Sequence, residues 1–250
     1  MGIIKTGKCE HSKSIVTSEG FIEFLKRNGK WNDVAAPETL IICFQPEAQK
    51  ALTKKYDSPK IKGMRFSTIL EEEKLGVCTF RMGAPAAACA MDEFAAWGVK
   101  KFIVVGIAGS IVQEINPGEI ILCDRAFRDE GTSHHYLDSS EDIHASEGLC
   151  NLLENKLGEK GYRFKRGAAW TTDAPYRETM EDVKYFSSRG ALVVEMELAA
   201  LFAVAKYKKV EIAAVVTVSD SLAGGKWQPE FFNKKVMDTL GKTAVVASEL

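Results

Sequence analysis

The chain has 250 residues, 46% of them hydrophobic and 27% charged, a composition ordinary for a globular protein with a sizeable core. Its 33 basic and 34 acidic residues leave a formal net charge of −1, so composition gives no general attraction to nucleic acid or to an anionic membrane. No stretch approaches the roughly 18 apolar residues of a membrane helix.

The opening residues, MGIIKTGKCEHSKS, lack the apolar run of a signal peptide. Met1-Gly2 with Thr6 matches part of a myristoylation signal, and Lys5 argues against that reading. Thr39 to Phe44 reads as a short apolar strand closed by Gln45-Pro46, and Pro46 opens a helix toward Tyr56. Basic pairs such as Lys54-Lys55 and Lys208-Lys209 read as solvated helix ends. Leu75 to Phe80 is a second strand. Pro85 suits a first helical position, AAACAMDEFAAW follows, and Gly98 stops the helix. Lys101 to Val105 is a third strand, ending in the expected small-residue turn Gly106-Ile107-Ala108-Gly109-Ser110. After the turn Asn116-Pro117-Gly118 comes a fourth strand, Glu119 to Cys123. A polar loop, Arg128 to Asp142, separates it from a helix near Ala145 to Lys160. Arg166 to Thr172 reads as a strand with the exit loop Asp173-Ala174-Pro175. Leu192 to Glu195 is a short strand running into a helix that carries Ala199 to Lys206. Val210 to Ser219 is the most strongly apolar strand, and Phe231 to Leu250 a closing amphipathic helix.

Nearly continuous apolar strands alternating with helices predict an α/β protein whose sheet is covered on both faces. With no repeat, low-complexity segment or linker, residues 1–250 are expected to form one domain. The six cysteines (Cys9, Cys43, Cys78, Cys89, Cys123 and Cys150) include no C-x-x-C pair. Cys43, Cys78 and Cys123 lie in apolar runs, where buried thiols and a reducing, cytoplasmic setting are expected. His134 and His135 are adjacent, so in an extended segment they point opposite ways, and no metal site is expected.

In α/β folds, ligands gather at the carboxyl ends of the strands. Chemistry-bearing residues fall at those ends: Arg81, Gly106 to Ser110, Thr171 to Asp173, Glu195-Met196-Glu197, and Ser219-Asp220. Carboxylates at a helix start suit the positive end of its dipole, so Glu195 and Glu197 are either caps or functional groups. Ser219-Asp220-Ser221 likewise suits a turn or a cap. A dinucleotide-binding reading of VGIAGS fails, because the third glycine and a long following helix are missing.

Taken in order, Met82-Gly83-Ala84-Pro85, VVGIAGSI, PGEIILCDRAFRDEG, WTTDAPY, VVEMELAAL and VTVSDSL resemble the family of purine nucleoside and uridine phosphorylases. That family also holds nucleosidases that cleave methylthioadenosine and AMP. The resemblance runs from Leu40 to Leu250. It implies a single-domain three-layer α/β/α fold with a mixed, partly barrel-like central sheet flanked by helices. It also implies cleavage of a nucleoside N-glycosidic bond, which builds an oxocarbenium-like ribose and negative charge on the departing base. Hydrogen bonds to ribose hydroxyls that tighten in such a transition state supply several kcal/mol.

By this resemblance Glu197 accepts from the ribose 2′-hydroxyl, and Met196 packs under the sugar. Ala108, Gly109 and Glu195 lie near the base; Trp170 and Tyr176 are aromatic side chains that either stack on a base or belong to the core. Asp220 is the general acid for purine N7 and needs a raised pKa, which burial supplies. Pyrimidine-reading members carry a Gln and an Arg after the WTTDAPY segment. Tyr176-Arg177-Glu178 offers no Gln, so purines are expected over uridine.

The phosphate site departs from the family pattern. A Gly-Asp-Pro-x-Arg loop is replaced by Phe44-Gln45-Pro46-Glu47-Ala48, and Arg-x-Gly-Ser/Thr is matched by Val104, Gly106 and Ile107. Phosphate without guanidinium partners loses its charge-assisted bonds. Either water is the nucleophile, or Arg81, joined by Arg65 or Lys62 of a neighbouring subunit, rebuilds the pocket beside Gly106 and Ile107. The expectation is phosphorolysis with inorganic phosphate as co-substrate and no other cofactor. The alternatives are a nucleosidase and a non-catalytic nucleoside-binding protein. The resemblance further implies dimers assembled into a hexamer, with His11 or His134 completing a neighbour's pocket.

Overall fold

The computed structural model describes residues 13–56, 60–64, 67–70, 74–138 and 140–250. Cys9, His11, Arg65, and the Met1-Gly2 and Thr6 features lie outside these residues.

The frame is a sheet that closes on itself. Strands β5 (Lys101–Ser110), β6 (Ile120–Asp129), β8 (Phe164–Thr172), β9 (Ala191–Glu195) and β10 (Glu211–Ser221) form the ring. β10 pairs with β5 on one side and β6 on the other, and β8 and β9 complete the circuit back to β5. From β5 the sheet extends outward through β1 (Thr39–Cys43), β4 (Leu75–Thr79), β3 (Ser67–Leu70) and β2 (Lys60–Lys62). β7 (Asp142–His144) pairs with β6, and β11 (Gln228–Pro229) folds back on the end of β10. The expected mixed, partly barrel-like sheet flanked by helices is the fold observed.

Alternation along the strands divides the core. Val104 and Ala108 of β5 face a cluster built with α3 (Ala84–Trp97) and α6 (Leu198–Lys208), against which α1 (Ser18–Arg27) packs. Ile103 and Val105 face the opposite cluster under α2 (Pro46–Lys55), α4 (Glu147–Glu159) and α7 (Lys234–Ala247). A smaller cluster beneath α5 (Met180–Ser188) holds Trp170, Phe127 and Phe186. Cys43, Cys78, Cys123 and Cys150 are buried free thiols. Among the described residues, no helix is long and apolar enough to cross a membrane.

Three expectations change. Gly106 to Ser110 is not a turn but the second half of β5, because β10 on one side and β9 on the other supply its backbone partners. β6 runs on to Asp129, held by β8 and β7. Helices α1 and α5 occupy segments given no element, each started by a local cap. Thr17 accepts from the Gly20 N–H, and Thr179 and Asp182 form a reciprocal capping box. Within the segment expected as a polar loop, the buried Arg128 guanidinium donates to Ser133 Oγ, Ser140 Oγ and the carbonyls of Leu137 and Asp138.

Candidate active site

β1, β5 and β10 are parallel neighbours, so their carboxyl ends emerge together at one mouth of the ring. The turn after β4 joins them there. β9 crosses the same end antiparallel to β5, with Gly109 opposite Val194 and Thr171 of β8 opposite Glu195.

On one side of this mouth lies the start of α6. Glu197 is the residue that precedes the helix, and its Oε1 accepts from the backbone N–H of Gly83. Glu195 is engaged on both oxygens by the chain itself. Oε1 accepts from the Thr171 hydroxyl, while Oε2 accepts from the N–H groups of Glu197 (2.6 Å) and Leu198 (2.8 Å). The Thr171 oxygen in turn accepts from the Ala199 N–H at 3.0 Å. Glu195 is thus the side-chain cap of α6, satisfying N–H groups that no earlier turn can reach. Burial pushes both carboxyls above the usual carboxylate range, and repulsion from Glu197 adds to the effect on Glu195. Met196 lies half-buried between them.

On the other side stands Asp220. A register shift between Val218 and Asp220 places a bulge at Ser219, and the Ser219 hydroxyl donates to Asp220 Oδ1 at 2.7 Å. Trp227, just before β11, donates its indole N–H to Asp220 Oδ2 at 2.8 Å. Gly109 leaves room beneath it: a Cβ there would lie 2.8 Å from Leu222 Cδ1 and 3.0 Å from Asp220 Oδ2, so both side chains would have to give way. Ala108 is buried, and its carbonyl accepts from Ser219 Oγ at 3.3 Å.

A residue not singled out as a site residue joins this group. Glu178 follows the 3-10 turn Pro175–Arg177 and is half-buried; its carboxyl makes no hydrogen bond or ion pair among the described residues. Burial, then repulsion from Asp220 and Asp182, pushes it up to about 7. Its signal in the sequence is a Glu directly after Tyr176-Arg177, in a stretch that lacks the Gln of pyrimidine-reading members.

The two aromatic candidates for stacking on a base separate. Trp170 is 1% exposed, stacks on Phe186 at 4.6 Å between ring centroids, and donates to Asp129 Oδ2 at 2.9 Å. Of the two readings open for it, Trp170 takes the core one, and it does not offer a face to a base. Tyr176 is 96% exposed on its 3-10 turn.

The expected phosphate side is largely apolar. Val104 and Ile107 point to opposite faces of β5 and pack into the two main clusters, while Phe44 lies over Gly106. Gln45 precedes α2 without capping it, and its Oε1 is buried with no hydrogen-bond partner among the described residues. Arg81, beyond β4, and Lys62 on β2 are exposed. His134 is half-buried, its pKa lowered by burial and by Arg128. A separate groove of about 1100 Å³ lies away from the strand exits, between α1, α3 and the end of α6, lined by residues that include Phe21, Asp92, Tyr136 and Tyr207. Among the described residues, no group of three or more His, Cys, Asp or Glu is placed to hold a metal ion.

Comparison with known proteins agrees with this arrangement of strands and motifs. The model of the phosphorylase superfamily matches residues 39–249. A guanosine phosphorylase of Halorubrum lacusprofundi is 28% identical over 151 residues, which span 60% of this chain and 63% of that protein. A DeoD-type purine nucleoside phosphorylase of Clostridium perfringens is 28% identical over 195 residues, 74% of this chain and 82% of that protein. Among solved structures, an AMP nucleosidase from Bacteroides thetaiotaomicron superposes with a TM-score of 0.72 at 23% identity, covering 94% of this chain and 97% of that one, a likeness of fold.

Proposed function

The chain belongs to the phosphorylase superfamily, whose members include nucleoside phosphorylases and nucleosidases, and on that premise we propose that it cleaves purine nucleosides by phosphorolysis, giving free base and ribose 1-phosphate. The observation that carries this reading is the approach of β9 to β10 at Gly109, which Val194, three residues before Glu197, and Asp220 both crowd.

In this reading Glu197 accepts from the ribose 2′-hydroxyl, a bond that strengthens as the sugar gains oxocarbenium character. Met196 covers the sugar. Asp220 meets N7 and delivers a proton there as the C1′–N9 pair of electrons passes into the base. Tyr176, at the rim, closes over the base from solvent. Arg81, exposed beyond β4, is the cation that draws phosphate in. Glu195 supports the site by fixing the start of α6, which sets where Glu197 points.

A second reading, hydrolysis, is favoured by the β1 and β5 exits. Val104 and Ile107 are packed into the core, Ala48 is buried, and none of β1, β5 and α2 carries an arginine for a phosphate dianion. Base release from inosine and adenosine, measured with and without inorganic phosphate, separates the two. Release that depends on phosphate supports phosphorolysis; equal release in both buffers supports water as the nucleophile. No release from any nucleoside in either buffer sinks both readings and leaves a nucleoside-binding protein.

A further inference from the structure

We propose that Trp227 is a base-binding residue: its indole, anchored edge-on to Asp220, is the ring against which the purine lies, and it holds 6-oxopurines and 6-aminopurines alike. The inference rests on the reading of Asp220 as the group that meets N7.

The ribbon that carries Trp227 is fixed to its surroundings. β11 pairs with the end of β10, Asp220 opposite Pro229 and Ser221 opposite Gln228. Side chains alternate along a strand, so Trp227, two residues before Pro229, stands on the face that carries Asp220. The Glu230 N–H donates to the Ser219 carbonyl at 2.9 Å, and the Leu222 N–H to the Ser110 carbonyl at 2.8 Å. At the tip of the hairpin Gly225 lies against Met180 of α5; a Cβ there would be 3.5 Å from Met180 Sδ. Phe231 packs against the indole with 5.9 Å between ring centroids. Trp227 is held by all of these and is still 61% exposed. A large apolar ring already ordered at the surface can be covered by a flat ligand at little further cost in side-chain freedom.

Distance then ties the base to this ring. The indole N–H reaches Asp220 Oδ2 at 2.8 Å. A base nitrogen at hydrogen-bond distance from the same oxygen lies within about 6 Å of the indole nitrogen, so the two ring systems touch. Each carboxylate oxygen has a second lone pair, which leaves Asp220 able to meet N7 while Ser219 and Trp227 donate to it. Trp170 is turned onto Phe186 and Tyr176 stands out at the rim, so Trp227 is the aromatic side chain bonded to the acid itself. Stacking reads the face of a base, which hypoxanthine and adenine share, and it adds affinity without choosing between substituents at position 6. The covered indole also keeps water from the edge where the N7 bond forms, and that bond is stronger for it.

Equilibrium binding of free hypoxanthine and free adenine, followed by calorimetry, reads this contact without turnover. Trp227→Ala should weaken both bases by the same factor, about tenfold or more, and raise KM for inosine and adenosine to match. Trp227→Phe keeps a ring and should bind both bases within about threefold of wild type, its deficit falling in kcat. Trp227→Leu fills space without a ring and should fall with Trp227→Ala. Wild-type base affinity in Trp227→Ala, equal losses in Trp227→Phe and Trp227→Ala, or losses that differ between the two bases would each overturn the inference while leaving purine cleavage intact. Base release by the wild-type protein from neither nucleoside overturns the reading of the whole site.

Discussion

The backbone N–H of Gly83 donates to the carboxylate of Glu197, joining the turn after β4 to the residue that starts α6. Gly83 holds φ at +121°, a conformation that side chains other than glycine rarely adopt, so the N–H is aimed by a backbone that only Gly tolerates well. The ribose-gripping group of the proposed reaction is thereby set from the other side of the mouth.

Replacing Glu197 by Gln should lower kcat/KM for purine nucleosides by roughly 10²-fold, since the bond to the ribose hydroxyl is worth most in the transition state. Steady-state kinetics beside a far-ultraviolet spectrum would test this. A variant that is folded and retains wild-type turnover would remove Glu197 from its assigned role.

Asp220→Asn should slow purine cleavage by roughly 10²-fold or more, the scale expected for a lost general acid. Trp227→Phe removes one neutral donor from Asp220 and should cost only about 5- to 10-fold, chiefly in kcat. If the two losses were equal, Trp227 would be acting on more than the orientation of one carboxylate.

Thr171 is a prediction about stability. Thr171→Val keeps the shape but deprives Glu195 of a donor and Ala199 of an acceptor, both buried. A loss of about 1–3 kcal/mol is expected from the unsatisfied groups. Urea unfolding measures it, and an unchanged midpoint would show that another group satisfies the Ala199 N–H.

The acid limb of stability should carry the mark of Glu249. Lys160 and Lys55 reach it at 2.7 Å each and hold its carboxyl down at about 2. A carboxyl with a depressed folded pKa contributes stability that is fully present above its ordinary value of 4.5 and is lost as pH falls toward 2. Its side chain is about a quarter exposed, so the effect is screened and modest. Thermal midpoints of wild type and Glu249→Gln should differ at pH 6 and converge below pH 3; a constant difference would contradict the assignment.

The parts legible in the sequence are those where local pattern and tertiary demand agree. Thr39 to Phe44, Leu75 to Phe80 and the Ala-rich helix ending at Gly98 were readable because apolar runs met proline starts and a glycine stop. Gly106 to Ser110 read as a turn because glycine and serine favour turns. Pairing on both edges overrides that preference, and Gly109 is small because Asp220 and Leu222 crowd it. Asp220 and Glu197 were legible as acids at strand ends. Their partners were not: Trp227 arrives by a hairpin, the Gly83 N–H leaves no trace in residue type, and Thr171 meets Glu195 through strand pairing. Trp170 read as a stacking candidate because an aromatic beside a strand exit looks the same in sequence whether it faces the ligand or Phe186.

The position of Trp227 gives the protein an optical handle. Of the four tryptophans, Trp170 is sealed in the core, Trp97 is held by the Val34 carbonyl and Trp31 lies under Lys26, whereas Trp227 is 61% exposed while bonded to Asp220. A base seated against Asp220 displaces water from that indole and stacks charge and polarizable rings beside it. Intrinsic emission should therefore report occupancy of the base pocket directly, with no label and no turnover, and Trp227→Phe should silence it.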